Sequence, residues 1–143
     1  MSEIEVKVAG EADLEQLCGL CEVVNLSRPP NNPSRDLCGI MKMPTGRVWI
    51  ARSGTTPIGL ISAIFEGRRG WIWYFGVAPS FRKGELGPGL LKLAEDYLSA
   101  LSAPKVLLMV RHSNQALINH YAKHGYCVDD VTVMGKWLHK IET

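Results

Sequence analysis

Ile4, Val6 and Val8 stand between polar neighbours, an alternation that predicts a short, half-buried strand. The period then lengthens. Leu14, Leu17, Cys18 and Cys21 recur at i, i+3, i+4 and i+7, the one-sided stripe of an amphipathic helix. A loop rich in proline and asparagine follows, NLSRPPNNPSRD. Its Asn32-Pro33 pair reads as a helix start, with asparagine as cap and proline at the first helical position. Leu37, Ile40 and Met41 give that second short helix an apolar face. Arg47 to Arg52 and Pro57 to Glu66 read as two strands joined by Ser-Gly-Thr-Thr. The turn Glu66-Gly67-Arg68-Arg69-Gly70 leads into Trp71 to Val77, an aromatic and β-branched run that suits a third strand of an antiparallel meander.

Pro79 has no N–H for a ladder and ends that strand. Leu90, Leu91, Ala94, Leu98 and Leu101 then mark a helix from about Pro88 to Leu101. Lys105 to Val110 is an unbroken apolar run, which predicts a central strand buried on both faces. It would lie parallel to the Trp71 strand, with the intervening helix as a right-handed crossover. Asn114 can cap a further helix that carries Leu117 and Tyr121 on one face and stops at Gly125. Val128 to Trp137 predicts one or two closing strands, the last around Val133 to Leu138.

Composition narrows the class. At 143 residues the chain reads as a single domain over 1–143, and 46% hydrophobic with 21% charged residues is ordinary for a protein with a real core. A net charge of +2, with the basic residues dispersed, argues against a nucleic-acid partner. No apolar run approaches a membrane span, and MSEIEVKV lacks the shape of a signal peptide. The four cysteines do not form a disulfide framework in a chain of this size. These features together predict a reduced, cytoplasmic protein. Cys18 and Cys21 form a CxxC, but its spacing equals that of the apolar stripe and no second CxxC exists. His120 and His124 stand at i, i+4 without the glutamate of a zinc motif. No metal site is expected.

The stretch from Arg82 to Gly89 carries two cations and three glycines between a strand and a helix. Such a turn presents unpaired backbone N–H groups at the positive end of a helix dipole, an arrangement that binds phosphate. It is not a Walker loop, because no Lys-Ser or Lys-Thr follows the glycines. It is not a Rossmann turn either, since about half the chain precedes it.

The stretch VAPSFRKGELGPGLL resembles motif A of the GNAT N-acetyltransferases, V-x-P-x-Y/F-R/Q-x-x-G-x-G/A, at Val77, Pro79, Phe81, Arg82 and Gly87. Glu85 stands where the family places its first glycine. Downstream, Asn114, Tyr121, Gly125 and Tyr126 match motif B, N-x6-Y-x3-G-F/Y. The turn EGRRG adds a likeness to the YpeA-like bacterial subgroup. The resemblance covers nearly the whole chain. It implies an α/β (α+β) GNAT fold, a single mixed, mostly antiparallel twisted sheet with a splayed parallel pair at its centre, flanked by about four helices.

The resemblance also implies acetyl-CoA as donor and an amine, small-molecule or peptide, as acceptor. A bulge near Gly76 would splay the parallel strands, and the pantetheine arm would pair with backbone of Phe75, Gly76 and Val77. The pyrophosphate would sit on Arg82, Lys83, Gly84, Glu85, Leu86, Gly87 and Pro88. Asn114 would contact the pantetheine or adenylate part. Tyr121 would also touch the cofactor and protonate the leaving thiolate, and Glu66 is the candidate base. Arg28, Asn31, Asp36 and Tyr74 are candidates for acceptor contact, although the Arg28 to Asp36 loop reads equally well as a simple turn of the chain. Arg68 and Arg69 read either as acceptor contacts or as a solvated hairpin tip. A GNAT-like CoA-binding or acyl-sensing module without turnover is the alternative. Trp137 and Leu138 are candidates for a homodimer contact.

Overall fold

Five strands in the order β1-β2-β3-β4-β5 form one sheet in the computed structural model, which describes residues 3–140. The strands are β1 (Ile4–Val8), β2 (Arg47–Ser53), β3 (Thr56–Phe65), β4 (Gly70–Val77) and β5 (Val106–Leu107). The first four are antiparallel neighbours, and β4 pairs with β5 in parallel. The helices are α1 (Leu14–Val23), α2 (Pro33–Lys42), α3 (Leu86–Ala100) and α4 (Gln115–Ala122). The chain divides into two units, Met1–Leu108 and Met109–Thr143.

In the first unit the sheet has a helical layer on each face. Val48, Ile50 and Leu60 of β2 and β3 pack with Leu17, Leu20 and Cys21 of α1 and Leu37 of α2. The alternation of a strand sends the other set of side chains the opposite way. There Trp49 meets Tyr97 of α3 edge-on at 5.3 Å, and Gly59 lets Leu86 and Leu90 of α3 press against β3. Leu90, Leu91, Ala94 and Leu98 are the buried stripe of α3, as their spacing predicts. Asn32 caps α2 as expected, its side chain accepting from the Arg35 amide at 3.1 Å.

Several expectations need correction. Strand β1 is exposed along its whole length rather than half-buried, because it is an edge strand and neither helical layer reaches over it. Residues 128–138 form no strand. Val128, Val131, Val133, Met134, Trp137 and Leu138 are all exposed, so the strand-like composition there finds no sheet to join. The run Lys105 to Val110 contributes only two strand residues, half-buried. The parallel pair therefore stands at the end of the sheet order rather than at its centre.

In the second unit, Asn114 caps α4 by accepting from the Leu117 amide at 3.2 Å. Gly125 follows with φ +91, the left-handed geometry that ends helices on glycine.

Candidate functional site

The centre of the candidate site is an irregularity in β4. Leu60 pairs with Gly76 and Ser62 pairs with Trp73, so Tyr74 and Phe75 together face the single residue Ile61. This is a β-bulge. Tyr74 takes the extra residue's kink, with φ +47, a left-handed angle that is uncommon for a bulky side chain. The fully buried Ser62 donates its hydroxyl to the Trp73 carbonyl at the same point. The bulge is thus centred on Tyr74 and Phe75, not on Gly76. Gly76 has a different reason to be glycine: a Cβ there would lie 2.7 Å from a methyl of Val24, where the end of α1 crosses the strand.

The extra residue reverses the side-chain alternation. Trp73 lies opposite Ser62, on the face covered by α1 and α2, and after the bulge Gly76 returns to that face. Tyr74, caught in between, also packs against the α1–α2 core. Two consecutive aromatic residues therefore serve one face, which a regular strand forbids. They line a pocket of about 460 Å³ with Asn31, Arg35, Asp36 and Met43. The Tyr74 hydroxyl donates to Asp36 Oδ2 at 2.6 Å, and the Asn32 amide donates to the same oxygen at 3.2 Å. Burial, with the adjacent Asp36 carboxylate, pushes the Tyr74 phenol far above its ordinary range, so it stays a neutral hydrogen-bond donor. Of the acceptor-side candidates, the structure gathers Asn31, Asp36 and Tyr74 at this pocket. Arg28 does not line it; its carbonyl accepts from the Asn31 amide in the loop.

On its other edge, β4 is paired with β5 only at Gly70↔Val106 and Trp71↔Leu107, and β4 runs on to Val77 beyond the last paired position. Just past Val77 a single 3-10 turn, Pro79–Phe81, leads to the glycine-rich segment. The amides of Arg82 and Gly84 make long turn bonds of 3.4 Å to Pro79 and Phe81. Among the described residues those of Lys83, Glu85, Leu86 and Gly87 donate to no backbone carbonyl. Pro88, in the first turn of α3, has no N–H to satisfy. The Arg82 guanidinium folds back, its Nε donating to the Val77 carbonyl at 3.0 Å.

Glu85 adopts φ −86 at the start of α3, so the family's glycine position demands no glycine-only angle here. Added Cβ atoms at Gly84 and Gly87 would meet nothing closer than 3.8 Å, and one at Gly89 nothing within 4 Å. These glycines are not needed for packing; they leave open space over a row of free amides. The residues therefore fit a diphosphate, and with it the pantetheine-linked nucleotide.

Glu66, the candidate base, is engaged at the β3–β4 turn. Its Oε1 accepts from the amides of Arg68 and Arg69, with the Arg68 contact at 2.6 Å. The Arg69 amide first, and the neighbouring Arg68 amide and charges after it, hold its carboxyl below the ordinary glutamate range. Glu66 is exposed and caps the hairpin whose Gly67 has φ +98. In the second unit, Tyr121 is buried, and burial pushes its phenol up to about 12. Its ring meets those of His120 and Tyr126 edge-on at 5.6 Å. Among the described residues no cluster of three or more metal-ligating side chains occurs, and no helix is long and apolar enough to cross a membrane.

Sequence reasoning overlooked Ser62, the position of the bulge, and the part of α2 that walls the pocket. Ser62 did leave a trace, as the lone hydroxyl in the middle of the otherwise apolar run GLISAIF.

Comparison with known proteins gives a consistent result. Residues 13–126 match the Acetyltransferase (GNAT) family. An acetyltransferase of Yersinia enterocolitica is 31% identical over 135 residues, spanning 94% of this chain and 96% of the relative. Among solved structures, the aminoglycoside N-acetyltransferase AAC(6')-Iy in complex with CoA superposes with TM-score 0.79 at 15% identity, covering 97% of each chain. Glucosamine-6-phosphate N-acetyltransferase from Arabidopsis thaliana gives TM-score 0.73 at 17% identity, covering 96% of this chain and 99% of that one.

Proposed function

Since the chain belongs to the GNAT acetyltransferase family, and is thereby an acetyl-CoA-dependent N-acetyltransferase, we propose that its acceptor is a small primary amine bound in the pocket between α2 and β4. The observation that carries this reading is the bulge at Tyr74 and Phe75. It turns two aromatic side chains and Asp36 into one pocket, directly before the stretch of β4 that continues past its parallel partner. Donor and acceptor sites then share one strand and are separated only by its thickness.

In this reading the amides of Lys83, Glu85, Leu86 and Gly87 hold the diphosphate, and the backbone after Trp71 aligns the pantetheine arm. Arg82 braces the end of β4 through the Val77 carbonyl. Asn114 has its Oδ1 committed to the helix cap, which leaves its amide N–H groups for the cofactor. Acetyl-CoA supplies an activated thioester. The chain's part is to orient the amine, exclude water and move protons. The ammonium loses one proton before attack, and the amine nitrogen then bonds to the acetyl carbon as the carbon–sulfur bond breaks. Tyr121 gives its phenolic proton to the leaving sulfur and regains one as the new amide nitrogen sheds its second. The net change is ammonium plus thioester to N-acetyl amine, thiol and one proton. Burial keeps Tyr121 protonated at neutral pH, as a donor must be. Glu66 has no part in this scheme.

The test is thiol release from acetyl-CoA with a panel of primary amines, in the parent and in Tyr121→Phe. The expected loss of kcat is roughly 10²–10⁴-fold, the worth of a positioned general acid. Undiminished turnover in Tyr121→Phe removes that residue's role, and CoA binding with no thiol release on any amine refutes the reading as a whole.

A further inference from the structure

The pocket holds one carboxylate and one guanidinium side by side, and each has unused capacity. Asp36 Oδ2 is occupied by the Tyr74 hydroxyl and the Asn32 amide. Asp36 Oδ1 faces Arg35 Nε at 3.7 Å, too far for a hydrogen bond. Among the described residues the Arg35 guanidinium makes no hydrogen bond, and its side chain is 55% exposed. A carboxylate oxygen is thus open to a cationic donor, and a planar N–H fork is open to an anion. Apart from Asn31, whose amide nitrogen donates to the Leu26 carbonyl at 3.0 Å, the rest of the lining, including Trp73, Ile40 and Met43, is aromatic or apolar. Gly39 leaves room, since a Cβ there would meet nothing within 4 Å.

This arrangement selects among amines. A polyamine gains from Asp36 but meets the Arg35 cation at nearly the same distance, so attraction and repulsion nearly cancel. A molecule with both charges gains from each. The 3.7 Å between Asp36 Oδ1 and Arg35 Nε requires the complementary charges to be neighbours, as an ammonium and a carboxylate on one carbon are. An anion on the far side of a sugar ring does not match that spacing.

Resting on the reading of this pocket as the acceptor site, we propose that the acceptor is a free α-amino acid with an apolar or aromatic side chain. Its ammonium lies on Asp36 Oδ1, its carboxylate on the Arg35 fork, and its side chain against Trp73 and Met43. A pocket of about 460 Å³ accommodates one such molecule within the usual range of small-ligand sites. The α-amine loses a proton and bonds to the acetyl carbon while the thioester bond breaks. The products are an N-acetyl amino acid, the free thiol and a proton. The product no longer carries the cation that Asp36 holds, so acetylation itself loosens its grip and favours release.

The experiment compares kcat/KM for L-phenylalanine, L-methionine, phenylalaninamide, spermidine and glucosamine 6-phosphate by thiol release. The two amino acids are expected to exceed phenylalaninamide at least tenfold. In Arg35→Gln that ratio should collapse toward one, with partial recovery in Arg35→Lys; circular dichroism checks that both variants remain folded. Equal or better turnover of the amide, of spermidine or of glucosamine 6-phosphate overturns the assignment. So does an amino-acid preference that survives in Arg35→Gln. Each of these results leaves the acetyltransferase reading standing, whereas thiol release with none of the amines overturns both.

Discussion

Replacing Ser62 with alanine removes one oxygen and tests whether the bulge is held or merely tolerated. Ser62 is fully buried and its hydroxyl donates to the Trp73 carbonyl, immediately before Tyr74 turns out of the ladder at φ +47. In the variant that carbonyl loses this partner in a part-buried setting. Leaving a buried polar group unsatisfied costs roughly 1–3 kcal/mol. For a chain of this length 1 kcal/mol corresponds to about 3–5 °C in melting temperature, so a fall of about 3–15 °C is expected. A second effect acts on function. The left-handed Tyr74 carries strain on the order of 1–3 kcal/mol, which a regular ladder would relieve. Without the Ser62 bond, part of the population is expected to slip register, taking Tyr74 away from Asp36 and dismantling the pocket. Thermal melts by circular dichroism measure the first effect. Steady-state kinetics measure the second, as a rise in acceptor KM larger than any change in kcat. An unchanged melting temperature refutes the idea that Ser62 secures the bulge. A destabilised variant with an unaltered acceptor KM refutes the link between bulge and pocket.

Other predictions follow from the same geometry. Gly87→Ala places a methyl where the nearest protein atom is 3.8 Å away, so the melting temperature should hold, while affinity for CoA by calorimetry falls about tenfold because the methyl stands over the free amides. Glu85→Gln removes the one carboxylate of the anion turn; CoA should bind about two- to fivefold more tightly at low salt, with the gain shrinking as salt screens it. Asp13→Asn breaks the bonds from the Gly10 amide and the Arg52 guanidinium, the latter at 2.7 Å. The Gly10 amide first, then Arg52, hold the Asp13 carboxyl below its ordinary range. A lowered folded-state value stabilises the fold above the unfolded pKa and loses that contribution as pH falls through the folded one. Urea melts should therefore show Asp13→Asn less stable by roughly 1.5–3 kcal/mol at pH 7, with the difference from the parent shrinking as pH falls below the ordinary aspartate range.

Local signals were legible and non-local ones were not. Asn32-Pro33, the stripe of α3, the Gly67 and Gly125 turns and the open amides before α3 are each decided within a few residues, and each stands where the pattern predicts. The closing strands expected from Val128 to Leu138 failed for the opposite reason. Alternating β-branched residues make a strand only where a partner supplies the ladder, and those side chains are exposed. Glu66 shows a related limit: a carboxylate at a strand end reads as facing a cleft, and the pattern did not reveal that the amides two and three residues on would donate to it.

The bulge is the sharpest case, because its information lies in the neighbouring strand. Nothing in Trp-Tyr-Phe-Gly marks Tyr74 as the residue to take a left-handed angle; an aromatic side chain is among the less favoured choices there. What specifies the position is Ser62, a donor placed opposite Trp73 in an otherwise apolar strand. A one-residue shift exchanges every side chain between the two faces. Had β4 run on without the extra residue, Trp73 and Phe75 would share the α1–α2 face, and Tyr74 would point toward α3, away from Asp36. The pocket proposed for the acceptor therefore depends on a single hydroxyl in β3 that does not itself line it. It follows that the identity of residue 62, more than that of any aromatic residue in β4, decides whether this chain presents Asp36 and Tyr74 together.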